Sequence, residues 1–316
     1  MLKKINRQHV LISASGSGTA FAMIMSLRKT WGEAISITTI DINPRHLVTS
    51  SLLANDHLIC PRSDSRMYGS FVIETIKKHN VSLFCPILNN DFILIDAIIR
   101  ETGCKVMAPQ CSAELACSKT NTACWLRNLG LPTPPILSSG NIKTDQMYFA
   151  KPDNGFGSIK SRIITGSEAL TSLDDSFIVQ PLCDPPEITV DAFFDVETGR
   201  CRAIARERIE IKSGVCTKAR VYEDEILSEY AFMIGNALKQ RGTICFQVMR
   251  LDEKPVITDL NFRPGAGTAI TVAAGIDLLS ASFACQWDLD YHRFISNILP
   301  KEGLFVTRQY SEFVMR

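Results

Sequence analysis

Thr258-Asp259-Leu260-Asn261-Phe262-Arg263-Pro264 ends a run, Val256 to Leu260, that reads as a β-strand. Side chains alternate along a strand, so Asp259, Asn261 and Arg263 share one face. A carboxylate, an amide oxygen and a guanidinium at two-residue spacing suit a divalent cation carrying phosphate. The oxygens serve a hard ion, and the guanidinium fork serves the phosphate. A solvated strand face is the plainer reading, but Ile257, Leu260 and Phe262 mark a strand well inside the fold. Upstream, Cys245-Phe246-Gln247-Val248 belongs to another strand run, Thr243 to Arg250, joined through the turn Asp252-Glu253-Lys254-Pro255. An antiparallel hairpin there brings Gln247 opposite Asp259.

A second stretch, Ala150-Lys151-Pro152-Asp153-Asn154-Gly155-Phe156-Gly157-Ser158, puts a lysine before a glycine loop. Strand runs flank it, Met147 to Lys151 and Ser161 to Thr165. It is not a Walker A loop, which needs Gly-Lys-Ser/Thr ahead of a helix. A glycine loop between strands can still fold over triphosphate oxygens, because Gly155 and Gly157 let backbone N–H groups approach closely. Taken alone, an ordinary hairpin explains it equally well. Further on, Phe177 to Gln180 reads as a strand that bends at Pro181, exposing a carbonyl and an amide to an adenine edge. Glu187 follows and could take ribose hydroxyls, although a lone glutamate is more often a surface residue. Arg206, Arg208 and Lys212 recur at even spacing in the run Cys201 to Lys212, which predicts one basic stripe. A solvated edge and a site for γ-phosphate or an anionic acceptor explain that stripe equally.

The first third alternates strand and helix signals: His9 to Ala14, Thr19 to about Arg28, Ala34 to Ile40, Tyr68 to His79, Val81 to Ile87, Asp91 to Arg100 and Lys105 to Ala108. This order predicts a parallel sheet with helices on both faces. Gly16 and Gly18 after the first strand, with Asp41 closing the next, partly imitate a dinucleotide fingerprint, but Phe21 holds the third glycine position. Ser118 can cap a helix from Lys119 to Asn128, and Gly130 can end it. Leu131-Pro132-Thr133-Pro134-Pro135 is then a stiff connector. Beyond it the chain is strand-rich, with one helix at Glu225 to Arg241.

The 316 residues are 46% hydrophobic and carry a net charge of +1, enough apolar material for two domains or one two-lobed enzyme. The charge balance removes the electrostatic case for a dedicated nucleic-acid or acidic-membrane binder. The cysteines are scattered, without C-x-x-C or zinc spacing, which fits reduced thiols in a cytosolic protein. Val10-Leu11-Ile12 is too short for a secretory core. Ala266 to Cys285, interrupted by Gly267, Gly275 and Asp277, reads as a buried helical segment rather than a membrane span. A soluble, cytoplasmic chain is expected. Oligomeric state is open, a homodimer included.

In this order the pieces resemble the ATP-grasp superfamily, especially single-module proteins similar to half of the carbamoyl phosphate synthetase large chain. The resemblance spans nearly the whole chain and implies an α/β Rossmann-like pre-ATP-grasp domain (1–112). It implies next an ATP-grasp small subdomain with the glycine loop (113–177), then a C-terminal subdomain with the metal site (178–316). It implies that Lys119, ahead of Gly130-Leu131-Pro132-Thr133-Pro134, and Lys151 hold ATP phosphates. Gly155, Phe156, Gly157 and Ser158 would cover them. Gln180, Pro181, Leu182 and Cys183 would read adenine, and Glu187 the ribose. Gln247, Asp259 and Asn261 would hold Mg²⁺, or Mn²⁺ in its place, and Arg263 would serve phosphate and substrate. Arg206 and Lys212 are added as catalytic candidates from the basic stripe. Asp259 stands where the family usually has Glu, a carboxylate shorter in reach by roughly 1.5 Å. Gln247 replaces a carboxylate, and Pro181 in the hinge offers no N–H.

The implied reaction is ATP-dependent joining of a small-molecule carboxylate to an amine, or a thiol, through an acylphosphate, with ADP and phosphate released. Two alternatives stand beside it. One is an ATP-binding sensor or scaffold without turnover; the other is a nicotinamide-dependent oxidoreductase built on Gly16, Gly18 and Asp41.

Overall fold

A computed structural model describes residues 8–109, 112–155, 160–212 and 214–315. The first lobe runs β1 (His9–Ile12), α1 (Gly18–Trp31), β2 (Ser36–Asp41), β3 (Asp56–Ile59), α2 (Tyr68–His79), β4 (Leu83–Cys85), α3 (Asn89–Ile93), α4 (Ile95–Thr102) and β5 (Lys105–Val106). Its sheet has the order β3-β2-β1-β4-β5, and every pair is parallel. Val10, Leu11 and Ile12 are wholly buried at its centre, as a strand covered on both faces must be. Loops at the carboxyl ends of β1 and β4 flank the point where strand order reverses, a position that gathers ligands in such sheets. The edge strand β3 gave no signal in the sequence because Asp-His-Leu-Ile is short and none of its residues is buried.

Two short helices follow, α5 (Ser112–Ala116) and α6 (Lys119–Asn128). Ser118 caps α6, its Oγ accepting from the Asn121 amide, and Gly130 lies just beyond the end with φ +80°. A three-stranded antiparallel sheet is built from β6 (Met147–Pro152), β7 (Arg162–Thr165) and, after α7 (Gly166–Thr171), β8 (Phe177–Pro181), in the order β7-β6-β8.

The larger antiparallel sheet takes β9 (Asp184–Asp195), β10 (Arg200–Lys212), β11 (Val215–Tyr222), β12 (Arg241–Leu251), β13 (Lys254–Asn261) and β14 (Leu304–Thr307). Its order is β13-β12-β9-β10-β11-β14. α8 (Glu225–Ala237) packs Leu227, Ala231 and Ile234 onto this sheet. It stops at Ala237, short of the predicted Arg241, because Arg241 already opens β12. The hairpin joining β12 to β13 turns on Asp252 and Glu253, both with positive φ (49° and 63°), as a tight two-residue connection requires. Pro255 is tolerated because β13 is an edge strand.

The apolar stretch predicted as one buried segment is two helices, α9 (Thr268–Ala273) and α10 (Leu278–Gln286), followed by α11 (His292–Ile295). Gly275 (φ +97°) and the Asp277 cap, which accepts from the Ser280 amide, break it. Every residue of α10 is buried. Trp31 of α1 meets Phe283 and Trp287 at ring separations of 6.4 and 5.1 Å, which ties the first lobe to the larger sheet. Among the described residues no helix is long and apolar enough to cross a membrane, and the described cysteines are free thiols, most of them buried. The architecture is therefore an α/β lobe on a parallel sheet, followed by an α+β part with two antiparallel sheets.

Candidate functional site

A cavity of about 680 Å³ opens between the three-stranded sheet and the larger one, with α6 and α3 on its rim. That volume suits a nucleotide-sized ligand. Its floor is one cross-strand row. Arg206 of β10 and Gln247 of β12 both take Thr189 of β9 as register partner, and Gln247 pairs with Asp259 of β13. Directly paired residues present side chains to the same face, and all four line the cavity.

Lys151 projects from β6 into this space. It is buried, and its Nζ donates to the Thr258 carbonyl at 2.6 Å. Sequence and pairing explain the contact. The β12–β13 register slips after Gln247, leaving Thr258 unpaired and turning its backbone out of the ladder. Burial depresses the Lys151 pKa, Asp259 nearby opposes the shift, and Lys119 adds to it. Lys119 opens α6, and its Nζ lies 3.1 Å from the Gly155 carbonyl. Asp153 holds the two elements together. Its carboxylate accepts from Ser118 Oγ (2.9 Å) and the Thr120 amide (2.7 Å), while its carbonyl accepts from the Lys119 amide (3.0 Å). Asp153 was missed as a functional residue, although it stands inside the quoted loop. Gly155 has φ +141°, which only glycine adopts readily. Phe156, Gly157 and Ser158 lie outside the described residues.

At the cavity wall Gln180 is buried and donates to the Pro134 carbonyl (3.2 Å), with Pro181, Leu182 and Cys183 beside it. Glu187 also faces the cavity, but its carboxylate accepts from Arg208 Nη1. A ribose contact there would have to share Glu187 with that ion pair.

Gln247, Asp259 and Asn261 come together as the hairpin required. Asn261 Nδ2 donates to Asp259 Oδ2 at 3.3 Å. The donor end of the amide makes this contact, so holding a cation requires Asn261 turned over to present Oδ1. Among the described residues no cluster of three His, Cys, Asp or Glu side chains could hold a metal ion. The oxygen-donor set, with its single carboxylate, fits a hard ion that keeps water or phosphate oxygens in its shell, as Mg²⁺ does. Arg263 is aimed by the first lobe. Its Nε donates to the Ile87 carbonyl (2.6 Å) and its Nη1 to the Pro264 carbonyl (3.0 Å). The Ile87 loop is itself clamped by fully buried Asp91, which accepts from the Ile87 and Leu88 amides, Ser13 and Tyr68. Burial raises the Asp91 carboxyl pKa, and these four donors pull against the shift.

Two candidates need correction. Arg206 is no free catalytic group: it is 2% exposed and bonded in bidentate fashion to Asp191 (2.7 and 3.2 Å), whose carboxylate also accepts from Thr268 and Thr271. Lys212 does not reach the cavity. The β10–β11 ladder is irregular around Ile209 and Thr217, so alternation fails. Ile211 lines the cavity instead, while Lys212 and Lys218 pair with Glu210. Arg308, just after β14, does line the cavity and was not singled out in the sequence. It lies on no alternating motif, and only the pairing of β14 with β11 brings it in.

The Gly16–Gly18 turn is already filled. The Gly16 amide donates to Asp41 Oδ2 at 2.8 Å, and Asp41 Oδ1 accepts from Asn43. A Cβ on Gly18 would stand 3.4 Å from the Ala266 side chain. These glycines make room for a carboxylate and a neighbouring loop.

Residues 116–267 match the family model of the ATP-grasp domain. Over that stretch, just under half of its length, the chain is similar to ATP-grasp domains. The surrounding architecture agrees in solved structures. N5-carboxyaminoimidazole ribonucleotide synthetase from Thermotoga maritima superposes with a TM-score of 0.68 at 16% identity, covering 90% of this chain and 76% of that one. N5-carboxyaminoimidazole synthetase from Staphylococcus aureus, complexed with ADP, gives 0.71 at 10% identity, covering 90% and 78%. The biotin carboxylase domain of Hydrogenobacter thermophilus 2-oxoglutarate carboxylase, in complex with MgADP, ADP and bicarbonate, gives 0.69 at 12% identity, covering 88% and 69%. At such identities the likeness is one of fold. No curated protein matches the chain by sequence.

Proposed function

We propose that the chain is an ATP-dependent ligase that activates a carboxylate as an acylphosphate and transfers the acyl group to an amine or a thiol, a C–N bond being the first choice. The observation that supports this best is the shared cavity. Lys119 and Lys151 enter from one wall, and Gln247, Asp259, Asn261 and Arg263 stand on the other. Two cations facing an oxygen-rich row are what a metal-bound triphosphate needs. The Gln247 position resembles the carbamoyl phosphate synthetase branch.

A carboxylate is a poor acyl donor because its leaving oxide is too basic. In the proposed reaction a substrate carboxylate oxygen attacks the γ-phosphorus and ADP leaves. The nucleophile then attacks the acyl carbon and inorganic phosphate leaves. Positioning and charge neutralisation carry most of the rate. Lys119 and Lys151 hold phosphate oxygens, Gln180 to Cys183 edge the base, and Arg263 orients the group in transfer. Mg²⁺ on Asp259, Asn261 and Gln247 would supply charge neutralisation at the phosphate oxygens.

The test is ADP and phosphate release from MgATP with paired carboxylates and amines. Release that depends on both partners supports the ligase. ATP binding without accelerated release from any pair supports a sensor. The nicotinamide alternative is weakened by Asp41, whose carboxylate already takes the turn amide a pyrophosphate would use. Stabilisation by NADH and not by MgATP would reinstate it.

A further inference from the structure

We infer that the cavity contains a second anion subsite, formed by Arg308, Arg206 and the Gly265–Gly267 loop, which takes a carboxylate of the substrate other than the one activated. The inference rests on the ligase reading for its role, but its geometry stands independently. Arg308 is held in place by its backbone, whose N–H donates to the Thr217 carbonyl at 2.8 Å. Its Nη2 donates to the Ala266 carbonyl at 2.6 Å, and it has no ion-pair partner among the described residues. Arg206 lies close by. Asp191 uses its Nε and Nη2, leaving Nη1 toward Gly267, where a Cβ would come within 2.2 Å of that nitrogen. The amides of Gly265, Ala266 and Gly267 donate to no acceptor among the described residues, and all three residues line the cavity. A half-buried cation without a counter-ion, a second guanidinium with an unused edge and unpaired amides together call for an anion with several oxygens.

The subsite is set apart from the proposed metal row. Arg206 and Gln247 stand on either side of Thr189, two strand spacings apart, about 9–10 Å at the backbone. Both groups of residues line the one cavity, so a short dianion held by side chains from each can bridge them. The substrate class is therefore a small molecule with two carboxylates, one activated beside Arg263 and one held by Arg308. Arg308 is a specificity residue in this scheme.

The test uses malonate as the probe on the full chain saturated with MgADP, read by calorimetry. One malonate per chain is expected, bound about tenfold or more weakly in Arg308→Gln, the loss typical of a charge-assisted pair. MgADP affinity should stay within about twofold. Phenylglyoxal labelling of the unmodified protein, mapped by mass spectrometry, gives a readout that needs no variant: malonate should protect Arg308 and MgADP should not. Equal malonate affinity in Arg308→Gln, or labelling of Arg308 unaffected by malonate, overturns the subsite. If MgADP does not bind at all, the ligase reading falls, while protection by malonate still decides the subsite.

Discussion

Lys151 Nζ and the carbonyl of Thr258 meet at 2.6 Å across the cavity, joining the three-stranded sheet to the edge hairpin of the larger one. The contact holds a buried cation beside Asp259 before any nucleotide arrives. It costs the protein solvation of that charge, and in the proposed complex phosphate oxygens would recover part of it.

Lys151→Met should weaken MgADP binding by about ten- to a hundredfold, the range for losing a charged hydrogen bond. Melting temperature should barely fall, because the variant also removes a buried charge. Calorimetric titration together with thermal denaturation checks both. Unchanged MgADP affinity would remove Lys151 from the site.

The pH behaviour follows from the sign of the Lys151 shift. Its folded pKa is depressed by burial. Its stability contribution is present above the unfolded lysine pKa and is lost as pH falls through the folded value. Bound phosphate favours the charged form and raises that pKa. MgADP binding at a pH between the depressed and the ordinary values should therefore take up protons. Titrations in buffers of different ionisation enthalpy should show this uptake, and Lys151→Met should abolish it.

Asp259→Asn removes the only carboxylate of the hairpin row. Metal-dependent ATP turnover should fall by at least about a hundredfold, since several kcal/mol of charge stabilisation is at stake. Melting should hardly change, because Asp259 is only partly buried. ADP release measured against Mg²⁺ concentration is the assay, and full activity in this variant would refute the metal assignment.

Gly235→Ala tests packing beneath the sheet. Alanine normally favours a helix over glycine by about 1 kcal/mol. Here the added Cβ would sit 2.4 Å from the Phe194 ring, a buried side chain. Overpacking should win and destabilise the fold by about 1–3 kcal/mol. A melt at or above the wild-type temperature would show that the ring can move aside.

Much of the site was legible because strand alternation is a strong local rule. Asp259, Asn261 and Arg263 at even spacing, with Gln247 across a short turn, place themselves once the hairpin is granted. Lys119 and Lys151 were legible from their flanks, a capped helix and a glycine loop. The same rule misplaced Lys212, because the irregular pairing around Ile209 is invisible in side-chain identity. Arg206 misled for another reason. Its neutralising partner Asp191 lies on a neighbouring strand, and burial of both depends on α9, whose Thr268 and Thr271 complete the cluster. Arg308 was illegible because its relevance arises only from a long-range pairing. β3, β11 and β14 were missed as strands because their runs are short or interrupted by charge.

The irregularity in β10 makes pairing register, rather than residue choice, the control over which side chains line the cavity. Paired without the bulge at Ile209, the same residues would alternate strictly and swing Glu210 and Lys212 inward in place of Ile211. The chamber would then gain an acid and a base where it now has an aliphatic wall. A one-residue bulge, with no change of side chain, thus separates two chemically different enclosures on a single scaffold.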